Sequence, residues 1–167
     1  SLLRSTSHPD LEVIIVDNAS EDGTPAALQE YAASDDRIRL ILNDTNRGFG
    51  PALNQGIEVS RGDYLAVLNN DVILTPGWLA VMTSRLRQDP SIGMIGPVSN
   101  GAWNEALVHG EYSCDTGMMA FARDRASRHA GSLAPIKMLA MYCVILPRRV
   151  LDSIGMLDEE FGIGMFE

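Results

Sequence analysis

The sequence predicts an α/β fold in which helices cover both faces of a mainly parallel sheet, a three-layer arrangement. Three observations carry that prediction. Short apolar runs rich in Val, Ile and Leu alternate with helical patterns. Two of those patterns open on Thr-Pro, at Thr24-Pro25 and Thr75-Pro76, the cap-plus-proline start of a helix. Three strand ends run into polar clusters: Asp17-Asn18, Asn43-Asp44 and Asn69-Asn70-Asp71. Right-handed crossovers bring the carboxyl ends of parallel strands to one rim, where open α/β sheets keep their ligands.

Residues 12–16 form a β-branched run ending on Asp17, and a helix is expected from Thr24 to about Ala33. Residues 37–42 read as a second strand and 50–60 as a second helix. Residues 64–68 are an unbroken apolar run, expected to be a strand buried on both faces. If strand alternation persists beyond it, Asn69 and Asp71 point to one side and Asn70 to the other. A third helix should run from Thr75-Pro76 to about Gln88, followed by a strand at 92–95. Residues 101–137 hold Trp103, the Met118-Met119-Phe121 group and Arg123, Arg125 and Arg128. They read either as an acceptor-facing surface or as a packed amphipathic helix with its arginines in solvent. Residues 138–146 read as a core strand with Cys143 as a small buried apolar residue, and a helix from Pro147-Arg148-Arg149 should end at Gly155.

Composition narrows the function classes. A chain of 167 residues makes one domain with a substantial core, and 46% apolar residues without a membrane-length run describe a globular protein with no transmembrane segment. A formal charge of −9 argues against nucleic acid or an anionic membrane as a partner, since both require a basic face. Cys114 and Cys143 form no CxxC pair and His8, His109 and His129 are scattered, which disfavours zinc or a disulfide scaffold. No signal-peptide pattern opens the chain, so the expected location is cytoplasmic, with peripheral membrane attachment through other regions as the further option. Gly48-Phe49-Gly50 can let the backbone approach a phosphate at a helix start or simply make room for packing. Leu53 stands where a dinucleotide fingerprint needs a small residue, and no Walker-type Gly-Lys-Ser/Thr is present.

Four blocks resemble the family 2 inverting glycosyltransferases of GT-A fold. They are Asp17 to Thr24, Asn46-Arg47-Gly48-Phe49 with Ala52 and Asn54, Asn69-Asn70-Asp71, and Gly155-Met156-Leu157-Asp158-Glu159-Glu160-Phe161 followed by Phe166-Glu167. The resemblance implies a Rossmann-like nucleotide-diphospho-sugar transferase. In it Asp17 holds the nucleotide with Asn18 and Ser20 beside it, and Asn46, Gly48 and Asn54 line the nucleotide-sugar pocket. Asn69-Asn70-Asp71 matches the Asp-x-Asp metal motif, with Asp71 binding Mg2+ or Mn2+. Asn69 is a partner weakened by the loss of one charge, and Asn70 sits with the nucleotide-sugar residues in a more structural role. The implied donor is a UDP-, dTDP- or GDP-linked sugar, hexosyl or rhamnosyl, and the acceptor a polysaccharide, saccharide or lipid-linked group. Residues 1–100 are then the nucleotide-binding half and 101–167 the acceptor-side half. The family's base is the Asp of a Glu-Asp pair, and the chain stops at Glu167, the one member of that pair present and hence the candidate catalytic residue. Both ends look cut, without the first strand and the region after Glu167. A non-catalytic sugar-nucleotide or carbohydrate binding module is the alternative, and a Rossmann-type oxidoreductase a weaker one. The isolated 167-residue chain is therefore expected to show little or no sugar transfer, and robust turnover in a donor-consumption assay would overturn that expectation.

Overall fold

A computed structural model describes residues 2–161. In chain order its elements are α1 (Leu2–Ser5), β1 (Val13–Asp17), α2 (Thr24–Ser34), β2 (Ile38–Leu42), α3 (Phe49–Val59), β3 (Tyr64–Leu68), α4 (Trp78–Gln88), α5 (Asp115–Arg128), β4 (Cys143–Pro147), α6 (Arg148–Ile154) and a 3₁₀ turn, Glu159–Phe161. Contacts divide the chain into two compact units. One takes the residues up to Ser7 with Ala66–Pro147, the other His8–Leu65 with the chain from Arg148 onward. Glu167 and Phe166 lie outside the described residues.

In the unit that holds β1 and β2, the two strands pair in parallel, Val13 opposite Ile38 and Asp17 opposite Leu42. Parallel pairing needs a crossover, and α2 supplies it. That helix starts one residue earlier than Thr24-Pro25 suggested: Gly23 is the cap, and the Asp22 carboxylate accepts the Thr24 N–H at 2.8 Å. α3 packs on β1 and α2 on β2. At the amino end of β1, Glu12 accepts the N–H groups of Arg61 and Gly62. Arg148 secures the start of α6 by donating through Nε to the Gly62 carbonyl at 2.9 Å and through its backbone N–H to the Asp63 carbonyl at 2.8 Å.

In the other unit β4 forms the centre of the core. Cys143, Val144 and Ile145 are fully inaccessible and Leu146 nearly so. β4 pairs with β3 on one edge, and Ile145 exchanges backbone hydrogen bonds with Ile95 on the other. That single antiparallel bridge is all that forms where a strand at 92–95 was expected. Gly93 contributes no side chain to pack and Pro97 has no N–H to extend the ladder. The chain also runs so near β4 that a Cβ on Gly96 would stand 3.1 Å from the Cys143 carbonyl. β3 itself differs from the expectation of two buried faces. Leu65 and Val67 are buried while Ala66 is exposed, an alternation of period two.

α4 begins at Trp78 rather than at Thr75-Pro76, because Gly77 takes the left-handed cap conformation at φ 83°. Its buried face carries Trp78, Met82, Thr83 and Leu86, and the Trp78 indole donates to the Thr6 hydroxyl at 2.9 Å. α5 has no buried residue, and its arginines at 123, 125 and 128 are exposed or half-exposed. Among the described residues no helix is long and apolar enough to cross a membrane.

Burial pushes the Cys143 thiol up to about 11. A raised value keeps the thiol protonated at neutral pH, and protonated thiols are poor nucleophiles. Cys114 is exposed. A thiol reagent at pH 8 should therefore modify Cys114 in the native protein and Cys143 only after denaturation, and rapid native labelling of both would contradict this packing.

Candidate functional site

Asp17 is the last residue of β1 and is 6% exposed. Its Oδ2 accepts the Ser20 N–H at 3.1 Å, and its backbone carbonyl accepts the Asn43 N–H at 2.9 Å. The chain reverses between Asp17 and Ser20 through Ala19, at φ 67° the one non-glycine residue with positive φ among the described residues. The Asp17 Oδ1 has no hydrogen-bond partner there, nor does the carboxylate form an ion pair. A buried carboxylate in that condition is costly unless a ligand completes it. Asp17 lines a cavity of about 250 Å³ with Ala19, Ser20, Glu21, Pro25, Leu42, Asn43 and Asp44.

The loop before α3 is fastened to this strand edge by neutral amides. Asn18 Nδ2 donates to Asn46 Oδ1 at 2.8 Å and to the Gly48 carbonyl at 3.0 Å. Asn18 Oδ1 accepts from Asn43 Nδ2 at 3.1 Å and from the Arg47 N–H at 3.0 Å. Asn43 and Gln55 exchange two further bonds, 2.8 and 3.0 Å. Asn18 thus spends its polar atoms on the protein, and any part it takes in ligand binding acts through the loop it holds. Gly48 follows at φ 90° and ψ 173°, a region essentially closed to residues with a Cβ, and caps α3. Asn54, expected to line a pocket, is buried in α3 and bonded to Leu157 and Glu159.

In the other unit, Asn69 continues the β3 ladder by donating its N–H to the Tyr142 carbonyl at 2.9 Å. The chain then turns at Asn70-Asp71, so the strand alternation expected for the tripeptide stops at Leu68. The turn brings Asn70 and Asp71 to one cavity of about 460 Å³, lined also by Arg4, Ser5, Val72, Ile73, Asp115, Met118 and Met119. Asn69 is not among its walls. Met118 and Met119 of α5 therefore face this cavity, which a packed-helix reading did not foresee. The Asp71 carboxylate is exposed and has no partner among the described residues.

The donors at this second cavity are carboxylate, amide and hydroxyl oxygens, the set that hard divalent cations prefer. No group of three or more His, Cys, Asp or Glu placed to hold a metal occurs among the described residues. Such a donor set fits Mg2+ or Mn2+ completed by water and substrate phosphate rather than an all-protein cage.

The sequence places Asn43 among the strand-end clusters but not its bonds to Asn18 and Gln55, and it does not single out Ala19 or Gln55, which carry no signal beyond their place near Asp17 and in α3. The family model of glycosyl transferase family 2 matches residues 1–149. A succinoglycan biosynthesis protein, ExoO of Rhizobium meliloti (strain 1021), is 45% identical over 75 residues, 45% of this chain and 21% of that protein. Chondroitin synthase of Escherichia coli is 36% identical over 86 residues, 52% of this chain and 12% of that one. The matched stretches are thus about a fifth or less of these relatives' length. Among solved structures, a mannosyltransferase from Pyrobaculum calidifontis, in complex with GDP-Man and Mn2+, aligns with a TM-score of 0.66 at 21% identity, covering 95% of this chain and 42% of that one. The likeness shows the fold: α/β, of GT-A type.

The two unusual backbone positions should respond unequally to substitution. Gly48→Ala is expected to lower stability by roughly 1–3 kcal/mol, the cost of forcing a Cβ into that conformation. Ala19→Gly should be within about 1 kcal/mol of neutral, since relief of left-handed strain offsets the added freedom of the unfolded chain. Urea unfolding of both variants checks the pair, and equal losses would contradict it.

Proposed function

The chain belongs to glycosyl transferase family 2, and we propose that it binds a nucleotide-diphosphate sugar for inverting transfer of the sugar to a polysaccharide, lipid or other acceptor. The observation that carries this reading is the buried Asp17 carboxylate at a cavity wall, one oxygen of which lacks a partner among the described residues. A carboxylate only accepts hydrogen bonds, so it suits the hydroxyls of a ribose or the imide N–H of a base. Glu21 and Asp44 share that cavity, and their charge disfavours a diphosphate there. The neutral nucleoside belongs at Asp17, with Ser20 beside it and with Asn46 and Gly48 as the loop that Asn18 holds in place.

Asp71 is the residue for the divalent cation, with Asn70 at the same cavity and Asn69 next in the chain. A bound Mg2+ or Mn2+ would supply Lewis-acid stabilisation of the charge that gathers on the departing diphosphate. A carboxylate must also take the acceptor's hydroxyl proton while that oxygen attacks the anomeric carbon from the opposite side. Glu167 is the candidate within this chain and lies outside the described residues; the family pattern places the usual base one residue further. The Pyrobaculum enzyme's GDP-Man and Mn2+ support a donor and a cation of these classes. The names of ExoO and chondroitin synthase support a polysaccharide as product. Residues 1–100 act mainly on the nucleotide and 101–167 on the acceptor. A binding module without catalysis is the second reading, favoured by the single fact that Asn69 replaces an acid.

Titration calorimetry with UDP-, dTDP- and GDP-sugars, with and without Mn2+, separates these readings. Asp17→Ala should weaken donor binding roughly 10- to 100-fold, the worth of hydrogen bonds to a charged group. Asp71→Ala should remove only the cation-dependent part. Binding indifferent to the cation favours the binding module, and no binding of any sugar nucleotide removes the proposal.

A further inference from the structure

Asn54 stands inside α3, a place where asparagine is a weak helix former, and it is 5% exposed. A buried amide has to find partners, and these come from the far end of the chain. Its Nδ2 donates to the Leu157 carbonyl and to Glu159 Oε1, both at 2.9 Å, and its Oδ1 accepts the Leu157 N–H at 3.1 Å. Both donor protons are used, and the two bonds to Leu157 fix the position and the rotation of its backbone.

Among the described residues that segment has few buried contacts. α6 has no buried residue, and from Asp152 to Glu160 every residue except the half-buried Leu157 is exposed. The 3₁₀ turn Glu159–Phe161 packs against α3. Segments with few buried apolar contacts open easily, so the Asn54 bonds decide whether this one stays on the helix. The same helix begins at Gly48, whose loop serves the donor in the proposed function. At 1.5 Å per residue Asn54 lies roughly 9 Å along the axis from that loop. A single rigid element therefore carries the donor loop at its start and the clamp on the acidic segment in its middle.

We propose that Asn54 is a positioning residue: it locks Leu157 and Glu159 onto α3 and so fixes the origin of the acidic stretch that leads to Glu167, without touching the donor. This rests on the transferase reading and changes the role expected for Asn54, from a pocket wall to a clamp.

Steady-state kinetics on the full-length natural protein test it. The unsubstituted enzyme is assayed first with UDP-, dTDP- and GDP-sugars, and failure to transfer from any of them sinks the transferase reading and this inference with it. Given activity, Asn54→Ala should lower kcat roughly 10- to 100-fold, the scale of a misplaced catalytic group. Its donor KM should stay within about twofold. Hydrogen exchange at the Leu157 amide should rise in the same variant. A loss confined to donor KM, or an unchanged kcat, would overturn the proposal. Should Asn54→Ala not fold, the comparison of Glu159→Gln with Glu159→Ala decides. The carboxamide oxygen still accepts from Asn54, so Gln should keep more kcat than Ala, and equal values overturn the clamp.

Discussion

The β1–β2 unit depends on a chain of uncharged amides. Gln55, Asn43, Asn18 and Asn46 connect α3, the end of β2, the end of β1 and the loop before α3, at distances of 2.8 to 3.1 Å. Parallel pairing aligns the strand ends but does not say where the following loops go. Asn18 does, because its two donors and its acceptor reach three different loop positions at once. Neutral amides also leave Asp17, the one buried acid among the described residues, as a charge at its cavity wall that none of those residues pairs.

That separation of roles explains why Asp17 and Asn18, adjacent in the chain, behave so differently. The Asp17 carboxylate faces a cavity with one oxygen free, whereas Asn18 is saturated by its own protein. Ala19 makes the contrast possible. Its left-handed backbone folds Ser20 back onto Asp17, which fixes the carboxylate by a single N–H and leaves the other oxygen available. Backbone held in a sparsely populated region tends to persist where surrounding structure over-determines it, and here the residues on either side of Ala19 are held, Asn18 by its four side-chain bonds and Ser20 by Asp17.

The order of strands and helices was legible because it rests on local periodicity. β3 falls where its apolar run does, and β1, β2 and α2 lie within a residue or two of their patterns. What failed was set by tertiary contacts. Residues 92–95 have strand composition, yet only Ile95 pairs with β4, in a single antiparallel bridge to Ile145. The start of α4 moved because Gly77 adopts a left-handed cap that Thr75-Pro76 could not reveal. At the site, Asp17 and Asp71 were readable as acids delivered by strand ends. The commitments of Asn18 and Asn54 were not, because their partners lie 25 to 105 residues away. A polar residue quoted from a motif can equally be a ligand or a brace, and only its hydrogen-bond inventory separates the two.

The same inventory bears on the weak cation motif. Asp71 is exposed, has no partner among the described residues and follows Asn69 where the resembled motif has a second acid. On the proposed reading, Asp71 and Asp115 share their cavity with the Arg4 guanidinium and with amide and hydroxyl groups, which gives the protein little affinity for a cation by itself. The diphosphate then supplies the missing negative charge, so donor and cation raise each other's affinity by the same factor. An Asp at position 69 would strengthen cation binding in the absence of donor and reduce that coupling. On that reading a cation bound only together with the donor would be a different property from a site that is merely defective.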